Sequence, residues 1–168
     1  PEPRTLRPLG LEGLLTRAPH GPGNSEDAGD VAERRGLKVS GRKRPETHDY
    51  TNMVMGRATT GGEPVEIAES LIGKKNEPRL VSLFGYDLDM APGRFMAFFR
   101  YPDRPGMIGK VGTILGDESV NIASMQVGRT AAGGTALMGL VVDSALSDEL
   151  LGKIKAAADM QDAWSVEL

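Results

Sequence analysis

Asp103 and Asn121 are the polar side chains whose setting in the sequence best suits them to chemistry. Asp103 falls in the run Tyr101-Pro102-Asp103-Arg104-Pro105-Gly106, where an apolar stretch stops and a helical pattern begins. Asn121 stands between Val120 and Ile122 at the opening of the next apolar stretch. A strand that turns into a helix leaves backbone N–H groups unpaired in the first helical turn, and the helix dipole makes that turn attractive to a carboxylate. A carboxylate such as Asp103 and an amide carbonyl such as that of Asn121 accept hydrogen bonds from an ammonium or a hydroxyl. Together Tyr101, Asp103, Gly106 and Asn121 describe a cradle for a small zwitterion. The plainer roles are a helix cap for Asp103 and a strand opening for Asn121.

Other motifs carry less. Gly106, Gly109 and Gly112 recur every third residue, which is GxxGxxG and not the GxGxxG of a dinucleotide-binding turn, and no acidic residue follows a parallel strand at the required distance. A smooth glycine face instead suits close backbone approach, to a neighbouring chain or to the loop near Asn121. His48-Asp49 is half of a metal or catalytic pair without the other half, and reads as a turn beside a cap; Arg42-Lys43-Arg44 reads as a solvated loop. No residue set is read as catalytic and none as a metal site.

The elements that must position the cradle are legible after residue 94. RFMAFFRY is an apolar strand, with Phe95, Ala97, Phe99 and Tyr101 on one face and Met96, Phe98 and Arg100 on the other. Asp103 is placed to cap a helix with Pro105 near its first turn, and Ile108, Val111, Ile114 and Leu115 form its apolar stripe. VNIASMQVG and TALMGLVVD read as a hairpin around Thr130–Gly134. Ser147, followed by Asp148 and Glu149, opens a second helix with the stripe Leu150, Leu151, Ile154, Ala157, Ala158, and AWSVEL is a terminal strand. The order βαββαβ is the split βαβ, ferredoxin-like plan, with both helices on one face of a four-stranded antiparallel sheet. Both faces of RFMAFFRY are apolar, so the second face must be covered by the preceding segment or by a second chain, and self-association is expected.

Upstream, TNMVMGRATT and EPVEIAESLIG are strands joined at Thr60-Gly61-Gly62, and RLVSLFGYDLDM supplies a third and fourth, an antiparallel sheet. Ala91-Pro92-Gly93 marks a boundary. All eight aromatic residues lie at or after position 50, whereas five of the eleven prolines fall within the first 22 residues. Residues 1–30 therefore read as irregular or disordered, with a short helix around Asp27–Arg35. Eight methionines, among them Met53, Met55, Met107, Met125 and Met138, suit adaptable core packing.

Composition excludes whole classes. The 168 residues contain no cysteine and only His20 and His48, which removes disulfide, thiol, iron–sulfur and histidine-triad chemistry. Basic and acidic residues number nine against eight in 1–49, five against six in 50–94 and six against nine in 95–168, so no region forms a nucleic-acid-binding patch. Apolar runs are strand-sized, which gives neither a membrane span nor a secretory signal, and points to the cytoplasm.

FFRYPDRPGMIGKVGTILGDESVNIASMQVGRTAAGGTALMGLVVD, with its D-R-P-G turn (Asp103–Gly106), Gly109, Gly112 and the V-N-I opening (Val120–Ile122), resembles the ACT regulatory domain, specifically that ending bacterial long-form D-3-phosphoglycerate dehydrogenase. VAERRGLKVSGRKRPETHDYTNMVMGRA resembles the second half of that family's intervening domain. The resemblance implies an α+β fold in three parts: residues 1–30, irregular; 31–93, a β-rich partial intervening domain; and 94–168, a ferredoxin-like βαββαβ ACT domain. It implies an amino-acid effector, L-serine or similar, held between two ACT domains at Tyr101, Asp103, Gly106 and Asn121. It also implies an anion site in the intervening domain, for which Lys74, Lys75, Arg79 and Arg94 are the candidates, although scattered surface cations would look the same. The family's NAD-binding and catalytic domains find no counterpart here, so the expectation is a C-terminal piece, inactive alone and without a cofactor of its own. Residues 1–30 match no part of the family, as a truncated or misread gene segment would. The competing reading is an oligomerisation module with no working ligand site.

Overall fold

The structure, a computed structural model, describes residues 50, 52–58 and 64–168. The first sheet is the antiparallel meander β1 (Val54–Ala58), β2 (Val65–Ile72), β3 (Glu77–Leu83), β4 (Tyr86–Met90), in that order. Its tightest turn is Phe84-Gly85, both at positive φ (52° and 77°), the two-residue hairpin whose twist matches that of the flanking strands. The turn expected at Thr60–Gly62, the helix at Asp27–Arg35, His20, His48, Arg42–Arg44 and the whole of 1–30 lie outside the described residues.

The second sheet contains β5 (Phe95–Pro102), β6 (Ile122–Arg129), β7 (Thr135–Val142) and β8 (Asp162–Glu167), with α1 (Met107–Asp117) after β5 and α2 (Asp148–Ala157) after β7. Strand order is β6-β7-β5-β8 and every pairing is antiparallel, the split βαβ plan. Ser147 caps α2 as expected, its Oγ accepting from Leu150 N–H at 3.2 Å, with Asp148 and Glu149 in the first turn and Lys155 in the last to complement the dipole.

Alternation along β5 builds two cores. Phe95, Ala97, Phe99 and Tyr101 face the helices, where they pack with Met107, Val111, Leu115, Leu151 and Ile154. Met96 and Phe98 face the other way and meet Leu80, Leu83, Tyr86, Leu88 and Met90 of the first sheet. Trp164 anchors this second core, stacked on Phe98 and edge-on to Phe84 with ring centroids 5.5 Å away in each case. Burying each such large side chain stabilises the fold by about 1.5–3 kcal/mol. The apolar second face of the sheet is thus covered within the chain by β1–β4. It does not by itself require a second copy, which removes the argument for self-association made from that face.

Three details differ from expectation. Asp103 does not cap α1; Gly106 holds the cap position at φ 88°, with no side chain bonded to the first turn. Met107 takes the core position assigned to Ile108, which is 52% exposed, because a helix starting at 107 turns 107, 111 and 115 inward. Met55 is exposed instead of packed, on the outer face of its short edge strand.

Candidate functional site

At the C-terminal end of β5 the chain makes a polar corner. Tyr101 and Pro102 pair with Ala136 and Thr135 of β7, and Asp103 N–H donates to Gly134 O at 2.9 Å, so the loop 103–106 lies beside the β6–β7 hairpin. The Asp103 carboxylate, mostly buried, accepts from Arg129 Nη1 at 3.2 Å and from Gly133 N–H at 3.4 Å. The Tyr101 ring is buried in the helix-side core. Its phenol is held above the usual range by burial first and then by the negative charge of Asp103, with Arg129 opposing. Beside it the first turn of α1 presents its N–H groups without a side-chain cap. The corner therefore offers an acceptor, Asp103, next to backbone donors and a cation, Arg129.

Asn121 lies at the other end of the same sheet. Ile122 pairs with Val142, which pairs with Phe95, whereas Arg129 pairs with Ala136, which pairs with Tyr101. The six residue steps of β5 between these levels span about 20 Å, and Asn121 and Asp103 lie beyond them at opposite ends, so they are more than about 20 Å apart within one chain. Its amide donates to Asp143 Oδ2 at 2.8 Å, leaving the carbonyl oxygen as the acceptor. One chain therefore brings Tyr101, Asp103 and Gly106 together and leaves Asn121 out, a correction to the single cradle expected from sequence. The V-N-I opening begins the strand after the crossover helix, and a crossover returns the chain to the end where the first strand began.

Of the basic candidates, two are ion-paired and two are exposed. Arg79 donates to Asp89 at 2.8 Å and Arg94 to Glu167 at 3.1 Å, while Lys74 and Lys75 are exposed in the β2–β3 turn. Gly109 and Gly112 lie inside α1, not in a phosphate-cradling loop, and a Cβ at either would meet nothing within 4 Å. Among the described residues the close backbone approach expected at that face is not made. Gly109 instead helps line an open groove of about 400 Å³ with Lys110, Thr113, Ile114 and Ala157. Among the described residues no helix is long and apolar enough to cross a membrane.

Sequence reasoning missed the hairpin's share of the corner: Arg129, Gly133 and the Tyr86 Oη–Thr135 Oγ1 hydrogen bond of 2.7 Å that ties the first sheet to it. The signal was present for Arg129. It ends a strand whose turn must fall beside the end of β5 once the ferredoxin-like order is assumed.

Residues 95–159 match the ACT domain model. The chain is 36% identical over 159 residues to a D-3-phosphoglycerate dehydrogenase of Synechocystis sp. and 33% identical over 158 residues to one of Bacillus subtilis, each match covering 94% of this chain. It is 29% identical over 168 residues to one of Mycobacterium tuberculosis, covering 99% of this chain. These alignments span 28%, 29% and 32% of the relatives, so the chain covers under a third of their length. Coverage of 99% also corrects the expectation that residues 1–30 match nothing in the family; their Pro-Gly-rich composition obscures the likeness when read without alignment. On these grounds residues 95–159 are an ACT domain, and the chain that carries it is similar over nearly all its length to part of D-3-phosphoglycerate dehydrogenase.

Proposed function

We propose that this chain is the regulatory part of a cytoplasmic D-3-phosphoglycerate dehydrogenase of serine biosynthesis, binding a small amino acid, L-serine foremost, between two ACT domains. The observation that carries the reading is the corner itself, where Asp103 sits beside the open first turn of α1. A zwitterion fits such a corner, its ammonium on Asp103 and its carboxylate on the N–H groups of the turn. Asn121 supports the second-copy part of the reading. The outer side of β6 is a sheet edge, and two copies pairing antiparallel along it about a two-fold axis set Ile122 of each against Arg129 of the other. That rotation carries Asn121 of a second copy from the far end to the Asp103 corner, where its free carbonyl completes the acceptor set.

Regulation then follows from differential affinity. A ligand shared by two ACT domains favours the paired arrangement that holds it and biases an attached catalytic unit by that difference alone. Oxidation of 3-phosphoglycerate, with its NAD and catalytic side chains, belongs in this reading to the rest of such a dehydrogenase.

Calorimetric titration of the chain with L-serine tests the proposal. Saturable heat and a raised melting temperature at millimolar serine are expected, both lost in Asp103→Ala. Absence of heat and of any thermal shift in the wild type would favour a purely structural module, and unchanged affinity in Asp103→Ala would move the site elsewhere.

A further inference from the structure

We infer that Arg129 is the specificity residue of this corner: its guanidinium is the standing partner of Asp103 and becomes the partner of the ligand's carboxylate when the ligand's ammonium takes Asp103. The inference rests on the function proposed above and adds to it the group that distinguishes an amino acid from a plain amine.

Three observations carry it. Asp103, the acceptor assigned to the ammonium, is already neutralised by Arg129 Nη1 at 3.2 Å. Both hydrogen bonds to that carboxylate fall on Oδ2, so an incoming ammonium lies beside the Arg129 guanidinium whether it shares Oδ2 or takes Oδ1. The contact is also easy to exchange. It uses one guanidinium nitrogen, and the Arg129 side chain is 58% exposed while that of Asp103 is 18% exposed. Exposed single-contact pairs are weak and screened. The acceptor is thus fixed and the cation is free to swing.

The base of Arg129 is nevertheless held. Its strand position is paired to Ala136, and the adjoining turn is closed by Thr130 N–H to Thr135 O at 3.1 Å and by Thr135 N–H to Thr130 Oγ1 at 3.3 Å. A released guanidinium therefore stays within reach of the corner. An α-amino acid carries its ammonium and carboxylate on one carbon, so a ligand that seats its ammonium on Asp103 places its carboxylate beside the Arg129 guanidinium. One carboxylate oxygen faces the N–H groups of the α1 first turn and the other faces the guanidinium, a charge-assisted arrangement that an amine without a carboxylate cannot make. Arg104, in the same loop, is directed elsewhere: its Nη2 donates to Ala158 O at 3.2 Å and to Asp159 at 3.4 Å, at the end of α2.

The test is a pair of calorimetric titrations, L-serine against ethanolamine, which keeps the ammonium and hydroxyl and lacks the carboxylate. The wild-type chain should prefer L-serine. In Arg129→Gln the L-serine affinity should fall tenfold or more while ethanolamine holds or tightens, because Asp103 has lost its partner. The preference for L-serine should therefore fall by at least tenfold, and Arg129→Lys should restore part of it. A preference left unchanged in Arg129→Gln, with both affinities intact or both reduced together, overturns the assignment while leaving the ligand site standing. A wild-type chain that gives no heat with L-serine overturns the ligand site itself, and this assignment with it.

Discussion

Docking of the β1–β4 sheet on the ACT sheet can be tested at two glycines. A Cβ added to Gly128 of β6 would fall on the carbonyl oxygen of Asp87, with the Cβ of Tyr86 at 3.1 Å. At Gly139 of β7 it would meet Met90 Sδ at 2.9 Å and the Phe98 ring at 3.2 Å. Both positions face the inter-sheet core, but they differ in what has to give. At Gly128 the obstacle is backbone, which moves only if the sheets separate; overpacking of that kind costs about 2–3 kcal/mol. Replacing a strand glycine by alanine returns about 0.5–1 kcal/mol of backbone entropy. The net for Gly128→Ala is then a loss of about 2 kcal/mol, or roughly 8 °C of melting temperature at ~4 °C per kcal/mol. At Gly139 the thioether can rotate away, and the same gain leaves the net within about 1 kcal/mol of zero. Urea unfolding followed by fluorescence reads both variants, since Trp164 is the chain's single tryptophan and stacks within this core. Equal losses at the two glycines, or a Gly128→Ala variant as stable as the wild type, would refute the docking of β4 against β6.

Two further outcomes follow from the same geometry. Tyr86→Phe removes the 2.7 Å hydrogen bond to Thr135 and should cost about 1 kcal/mol in the same unfolding assay, with the midpoint shifted and the slope unchanged. Burial raises the Glu69 carboxyl above its usual value; the stability this group permits is then fully present below the unfolded-state value near 4.5 and is lost as pH rises through the folded-state value. Glu69→Gln should accordingly flatten the decline of stability above pH 4.5 and be the more stable form at pH 7, measured as unfolding midpoints across that range.

Much of the fold could be read from residue types alone, for identifiable reasons. RFMAFFRY is apolar on both faces, and a strand of that kind has to be central and covered twice. It is, by α1 and α2 on one side and by the first sheet on the other. Ser147-Asp148-Glu149 marks a helix start through capping chemistry that needs no tertiary context. Asp103-Arg104-Pro105 carries the same kind of signal and misleads, because Gly106 turns the chain at positive φ and leaves Asp103 three residues short of the helix, free for the hairpin to claim. The Ile108 stripe fails similarly: moving the helix start by one residue exchanges Ile108 for Met107 in the core.

The site was less legible than the fold, and topology explains why. Asp103 and Asn121 are 18 positions apart, which suggests proximity, yet β5 and β6 both run antiparallel to β7 and are therefore parallel to each other. In any β-helix-β unit of that kind the helix carries the chain back along the sheet, so a residue just after the first strand and a residue just before the second lie at opposite ends. No adjustment of side chains within one copy closes that gap. A two-fold axis at the β6 edge does, because antiparallel pairing of the edge with itself exchanges the two ends. In the proposed reading each copy then holds an acceptor corner at one end and an asparagine at the other, and a pair of copies contains two complete sites where a single copy contains none. Ligand affinity and pairing become one equilibrium, which makes the edge strand as much a part of the binding site as Asp103.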